Sequence, residues 1–230
     1  MNALRLLMLF TVVAVVSGCA TLDYNDPLAT YHDTKPTSIL IVPVVNESVD
    51  VQAPTSVLTT LPRLLGEKGY YVFPVNTVKT ILEYEGLYEP AEIHQLAAND
   101  LADWFGADAI LYVTIHEWTS RYVVFSTTTE VDFEYRIVDK NGVELWAARQ
   151  NLSYTPQSEN QGGGGMAGLL SSAINAAVER AAPNYLPLTR EANNRAFNGG
   201  YTPLPPGPYS FYYDSYYQRL AEEKAAAEAE

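Results

Sequence analysis

One cysteine, three histidines and a run of alternating carboxylates are the groups in this chain with chemistry to offer. Cys19 stands in VVSGCATLDYND, residues 15–26. A lone cysteine closes no intramolecular disulfide and builds no multi-cysteine zinc or iron–sulfur site. It is a reactive thiol, a ligand or an attachment point. His116 opens the string His116-Glu117-Trp118-Thr119-Ser120. That string lacks the second histidine of the zinc motif H-E-x-x-H, and it reads as a strand, in which His116 and Glu117 point to opposite faces. His32, His94 and His116 fall in three separate segments with no short spacing. Glu130, Asp132 and Glu134 recur at every second position, about 7 Å apart on one strand face. Such a row can attract a hard cation, but it is also the ordinary way to keep one side of a sheet wet. Gly163-Gly164-Gly165-Met166-Ala167-Gly168 matches G-x-G-x-x-G, yet TPQSENQ before it is loop-like and no Walker lysine follows, so a flexible hinge is expected. There is no G-x-S-x-G elbow. No catalytic, metal or cofactor site is predicted, and the protein is expected not to be an enzyme.

A different set of residues suits binding. Tyr209, Phe211, Tyr212, Tyr213, Tyr216 and Tyr217 crowd a short stretch near the end of the chain. Tyrosine offers large amphipathic contact at low entropy cost, so these six are candidates for docking a partner protein or glycan rings. The alternative is a low-complexity tail, or a flap packed on its own domain.

Hydrophobic periodicity supplies the elements that would carry these groups. Residues 38–45 (SILIVPVV) suit a strand buried on both faces, with Pro43 marking an edge, a bulge or an early end. Val57, Leu58, Leu61, Leu64 and Leu65 recur at helical spacing over 55–68; Pro62 should kink or divide that helix, and Gly69 end it. Residues 70–75 form a second strand. Asn76 is placed to cap a helix closed by Gly86. Pro90 opens one helix over 90–107, with Ile93, Leu96, Leu101, Trp104 and Phe105 on its apolar side. Residues 108–118 are a strong strand. Val131, Phe133, Tyr135 and Ile137 then alternate with charged residues, and Asn141-Gly142 suits a type I′ turn into a strand over 143–154. After the glycines, Leu170, Ala173, Ile174, Ala177, Val178 and Ala181 form a helical stripe. Beyond Pro183 the pattern weakens, and 218–230 read as a solvated, helix-prone tail. The predicted fold is α/β (α+β): a mixed sheet with helical crossovers first and an antiparallel meander later.

The formal net charge is −13 with a pI near 4.6, and the basic residues are scattered. Nucleic acid is therefore not an expected partner. An acidic surface also disfavours anionic lipid, so membrane attachment needs a separate device. The N-terminus has one. Arg5 precedes the apolar run LLMLFTVVAVV, residues 6–16, and small residues follow, which is the order of a secretory signal peptide. A bilayer span needs roughly 20 apolar residues, so this run is too short. Val16-Ser17-Gly18-Cys19 resembles the bacterial lipobox, which implies cleavage before Cys19, a diacylglyceryl thioether on its sulfur and an acylated amine. Several acyl chains anchor stably where one holds only marginally. Ala20, in place of Asp, implies onward transport to the outer membrane.

The strings KPTSILIVPVVNESVDVQAP, LLGEKGYYVFPV, EGLYEPAEIHQL, GADAILYVTIHEW and VDKNGVELW, in this order, resemble a family of bacterial outer-membrane lipoproteins of unknown function. A neisserial genome-derived surface antigen typifies it. The similarity covers roughly residues 35–182, with a looser echo around NGGYTPLPPGPYS. It implies a fold similar to the amino-terminal domain of TolB and to the periplasmic domain of the curli secretion pore. It also implies self-association as a homodimer or homo-oligomer and a place beside other envelope proteins. The family offers no catalytic residue to carry over.

The expected organisation is a signal peptide at 1–18, a lipidated tether at 19–36, the α/β domain at 37–198, and a Gly/Pro/Tyr-rich segment with an Ala/Glu tail at 199–230. The expected function is that of an outer-membrane-anchored lipoprotein facing the periplasm. It would serve as a non-enzymatic protein-binding subunit of an envelope assembly or transport complex, held by lipid on Cys19. Two alternatives stand beside it. A regulator of a peptidoglycan synthase would need to reach across the wall, whereas seventeen extended tether residues span about 60 Å at most. A curli-pore-like secretion component would use residues 122–125 and 131–137 as membrane hairpin strands, with Glu130, Asp132 and Glu134 facing a lumen.

Overall fold

The computed structural model describes residues 26–123, 126–154 and 185–228. Cys19, the glycine string 163–168 and the stripe 170–181 lie outside these residues. Pro27–Tyr213 forms one compact unit, and Asp26 with Asp214–Glu230 belongs to a second.

The first unit begins with α1 (Ala29–Thr34), where an open tether was expected. Tyr31 and His32 on this helix are buried, and the Tyr31 hydroxyl hydrogen-bonds that of Tyr70. Residues 29–34 are thus part of the packed unit, because one aromatic side chain finds a partner in the core. β1 (Ser38–Ile41) stops short of Pro43, and β2 (Val45–Asn46) resumes beyond it. Proline has no amide to give the ladder, so the strand breaks there. Both pieces pair in parallel with β4 (Ala109–Val123), Ile39 opposite Ala109 and Val45 opposite Thr114.

α2 (Ala53–Glu67) runs through Pro62, so of the kink or division expected there the division does not occur. Ala53, Val57, Leu61 and Leu65 form its buried face, and that packing holds the helix despite the missing hydrogen bond. β3 (Tyr71–Val72) is shorter than the 70–75 expected, because Pro74 turns the chain into α3 (Val75–Tyr84). Pro74 thereby occupies the cap position assigned to Asn76, which lies inside the helix and makes no capping bond. The single helix expected over 90–107 is two, α4 (Pro90–Ile93) and α5 (Ala98–Phe105). Between them the His94 ring reaches the Pro43 carbonyl at 2.9 Å and Ala97 is extended. Trp104 is half exposed rather than on the buried side.

β4, β5 (Ser126–Asp139) and β6 (Glu144–Tyr154) form the antiparallel meander, giving a sheet in the order β3-β1-β4-β5-β6. The β5–β6 turn is not type I′, since Gly142 alone in it has a positive φ, +81°. The Gly142 amide donates to the Asp139 carbonyl at 3.0 Å, and the Asp139 carboxylate accepts the amides of Asn141 and Val143, each at 2.8 Å. The aspartate side chain closes the turn and leaves a one-residue bulge behind it.

Two apolar layers cover the sheet. On one face α1, α2 and α6 (Leu186–Asn198) pack on Ile39, Ile41, Leu111, Val113, Phe133, Tyr135 and Trp146. On the other, α3, α4 and α5 pack on Leu40, Val42, Ile110, Tyr112 and Val138. β1 is buried on both sides and reads SILI for that reason. Val131, Phe133, Tyr135 and Ile137 are fully buried in this core, which is not where lipid-facing strands of a pore would lie. In the second unit, α7 (Tyr213–Glu228) carries Lys224, whose Nζ lies 3.2 Å from Asp26.

Candidate interaction site

The Gly/Pro/Tyr segment does not trail away as a tail. Residues 199–212 leave α6 and cross the Pro27–Tyr213 unit as a strap, with Leu204 buried. Hydrogen bonds seat it: Trp146 Nε1 donates to the Thr202 carbonyl (2.9 Å), Tyr70 Oη to the Pro205 carbonyl (2.6 Å), and the amides of Leu204, Gly207 and Tyr209 to the carbonyls of Phe197, Lys68 and Gly69 (3.0, 2.9 and 3.0 Å). Two glycines permit this approach. A Cβ on Gly69 would stand 2.2 Å from the Ser210 nitrogen, and one on Gly207 2.4 Å from the Gly69 carbonyl oxygen. Lys68 beside the strap donates to Asn198 at 2.8 Å, and burial pushes its ammonium down to about 8.

Of the aromatic residues expected to dock a partner, Tyr209, Phe211 and Tyr212 lie at the strap's far end, 73%, 93% and 68% exposed. Tyr213 follows them, half-buried. Tyr216 and Tyr217 lie in the second unit on α7, half-buried, with their rings edge to face. Sequence reasoning missed the residues that hold the strap, Gly69, Tyr70 and Gly207. The only sign was a Gly-Tyr-Tyr step where α2 ends.

The outer face of the meander is the second feature. At His116 the register of β4 against β5 slips by one residue, Ile115 pairing with Phe133 and Glu117 with Asp132. The bulge places His116 and Glu117 on the same polar side, overturning the opposite-face expectation. His116 Nδ1 meets Glu47 at 2.7 Å and Nε2 meets Glu134 at 2.9 Å. The hydrogen bonds to Glu134 and then Glu47 raise the imidazole above its ordinary value. Arg149 forms a two-pronged pair with Asp132, at 3.0 and 2.8 Å, which holds that carboxylate below its usual range. Arg121 lies between Glu117 and Glu130, at 3.7 and 3.9 Å. Each carboxylate of the Glu130–Asp132–Glu134 row therefore has its own basic neighbour, Arg121, Arg149 and His116 in turn, and is not turned toward a common centre. This is a wet sheet surface on which carboxylates outnumber the basic groups they contact. Among the described residues no three metal-ligating side chains converge.

The family model described as "Putative lipoprotein GNA1162-like" matches residues 23–208. The chain belongs to the GNA1162-like lipoprotein family. A lipoprotein of Neisseria meningitidis serogroup B, NMB1124/NMB1162, is 34% identical over 171 residues, covering 74% of this chain and 78% of that protein. The crystal structure of lipoprotein GNA1162 from Neisseria meningitidis aligns with a TM-score of 0.52 at 35% identity, over 65% of this chain and all of that one. The mixed α+β fold is thus that of the family. Among the described residues no helix is long and apolar enough to cross a membrane.

Proposed function

We propose that the protein is an outer-membrane lipoprotein, attached through Cys19 and facing the periplasm, that acts as a non-enzymatic protein-binding subunit of an envelope assembly or transport complex. The observation that carries this reading is the coincidence of two signals. Val16-Ser17-Gly18-Cys19 stands immediately ahead of a region, 23–208, that matches a lipoprotein family. A chain of net charge −13 has little other means of staying at an anionic bilayer. The meander supports the binding role: it is a hydrogen-bonded three-stranded sheet whose polar side presents an ordered set of arginines and carboxylates.

The synthase-regulator reading loses ground. With α1 packed from Ala29 onward, only the seven residues Ala20–Asp26 lie between Cys19 and Pro27, and even fully extended seven residues span about 25 Å, far short of a wall-crossing reach. The test is in-cell photocrosslinking from position 119 on the meander, with position 84 on α3 as control. An envelope protein captured from 119 alone, and lost when Arg149→Glu and Arg121→Glu reverse the charge pattern, is the expected result. Equal capture from both positions, or none from 119, contradicts the binding role.

A further inference from the structure

The strap's exposed end needs an occupant, and three observations bear on which one. First, residues 199–213 (GGYTPLPPGPYSFYY) contain no charged residue in a chain of net charge −13. Second, the strap and the start of the folded unit meet at one corner. Pro27, Leu28 and Thr30 line a cleft together with Trp146 and Thr202. Tyr31 of α1 bonds Tyr70, which in turn bonds the Pro205 carbonyl. Third, only seven residues, Ala20–Asp26, separate that corner from Cys19, a span of about 25 Å even when fully drawn out.

We propose that Tyr209, Phe211 and Tyr212 lie in the headgroup layer of the membrane that holds Cys19, as a second, aromatic contact that fixes how the domain sits on the bilayer. The inference rests on the anchoring reading above. Tyrosine suits that layer because its ring is apolar and its hydroxyl stays wet. Phe211, at 93% exposure, has the most to gain of the three from leaving water. The absence of strap charge removes the repulsion that the rest of the surface would meet at anionic lipid. A protein partner would be expected to ask for complementary charge or a shaped pocket around these rings, and the strap offers neither.

Hydroxyl-radical footprinting tests this directly. The full chain, purified from membranes, is returned to vesicles of phosphatidylethanolamine with a minor share of phosphatidylglycerol. It is compared with the Cys19→Ala chain in solution. The proposal predicts severalfold slower oxidation of Tyr209, Phe211 and Tyr212 on vesicles, with Tyr84 and Trp104 unchanged. Unprotected strap residues on a chain whose Cys19 peptide carries lipid overturn this inference alone. An unmodified Cys19 peptide overturns the anchoring reading and this one with it. Equal protection of the strap in the Cys19→Ala chain assigns it to a protein contact and also overturns the proposal. A Tyr209→Ser/Phe211→Ser/Tyr212→Ser chain should stay anchored through Cys19 yet lose the protection.

Discussion

Replacing Gly69 by alanine probes the seat of the strap. Gly69 has φ +90°, and its added Cβ would stand 2.2 Å from the Ser210 nitrogen and 2.6 Å from the Ser210 Cα. The left-handed backbone alone costs an L-residue about 1–2 kcal/mol. Forcing backbone aside in a packed region adds about 1–3 kcal/mol. Gly86 separates the two costs, since its φ is +84° and a Cβ there meets nothing within 4 Å. Gly86→Ala should therefore lose about 1–2 kcal/mol and Gly69→Ala about 2–5 kcal/mol. Gly207→Ala carries the clash without the backbone cost, its Cβ falling 2.4 Å from the Gly69 carbonyl oxygen and 2.8 Å from the Tyr70 ring. It should lose about 1–3 kcal/mol. Urea unfolding followed by tryptophan fluorescence gives the three values. Hydrogen exchange at the Gly207 and Tyr209 amides reports whether the strap has lifted. If Gly69→Ala costs no more than Gly86→Ala while both amides stay protected, the strap is not seated as described.

Other consequences follow from buried polar contacts. Tyr135 donates to Asn193 at 2.6 Å and Asn193 to Thr60 at 2.8 Å, all at the α2–α6–β5 junction. Asn193→Ala strands the fully buried Tyr135 hydroxyl and should cost about 1–3 kcal/mol, most of it recovered by adding Tyr135→Phe; a strictly additive double variant would contradict the pairing. Asp108 accepts the Thr37 and Ser38 amides, each at 3.0 Å, and both of their hydroxyls. Burial pushes its carboxyl up, but those bonds together hold it below the usual value. Its contribution is present at neutral pH and fades as acid protonates it, so Asp108→Ala should cost about 1–2 kcal/mol at pH 7 and less at pH 3 by urea titration. His116 behaves oppositely. Its raised value means stabilisation that is complete below about 6.5 and lost as pH rises through the folded value. Stability measured from pH 5 to 9 should fall relative to His116→Gln, and parallel curves would show that the Glu47 and Glu134 bonds contribute nothing.

The strong elements of this fold were legible because their residues obey a single rule. SILI is β-branched or leucine-rich because β1 is covered on both faces, and the alternation Val131–Ile137 reflects one buried and one wet side. What could not be read depends on distant partners. α6 was hidden because its buried face includes Thr189 and Asn193, polar residues whose worth lies in the hydrogen bonds they make after packing. Tyr31 looked like part of a linker, since nothing local announces that Tyr70 awaits it. The two-sided placement of His116 and Glu117 failed for a related reason: a bulge changes the strand period, and only the partner strand reveals it. The strap hides most completely, because glycine and proline signal a loop equally well whether the loop is free or tied down.

The most direct test of the account is the mass of the amino-terminal peptide of the protein extracted from cell membranes. The account predicts a chain that begins at residue 19, with diacylglyceryl on the Cys19 sulfur and an acyl group on its amine. A chain that retains residues 1–18, or one with a free Cys19 thiol, would contradict it.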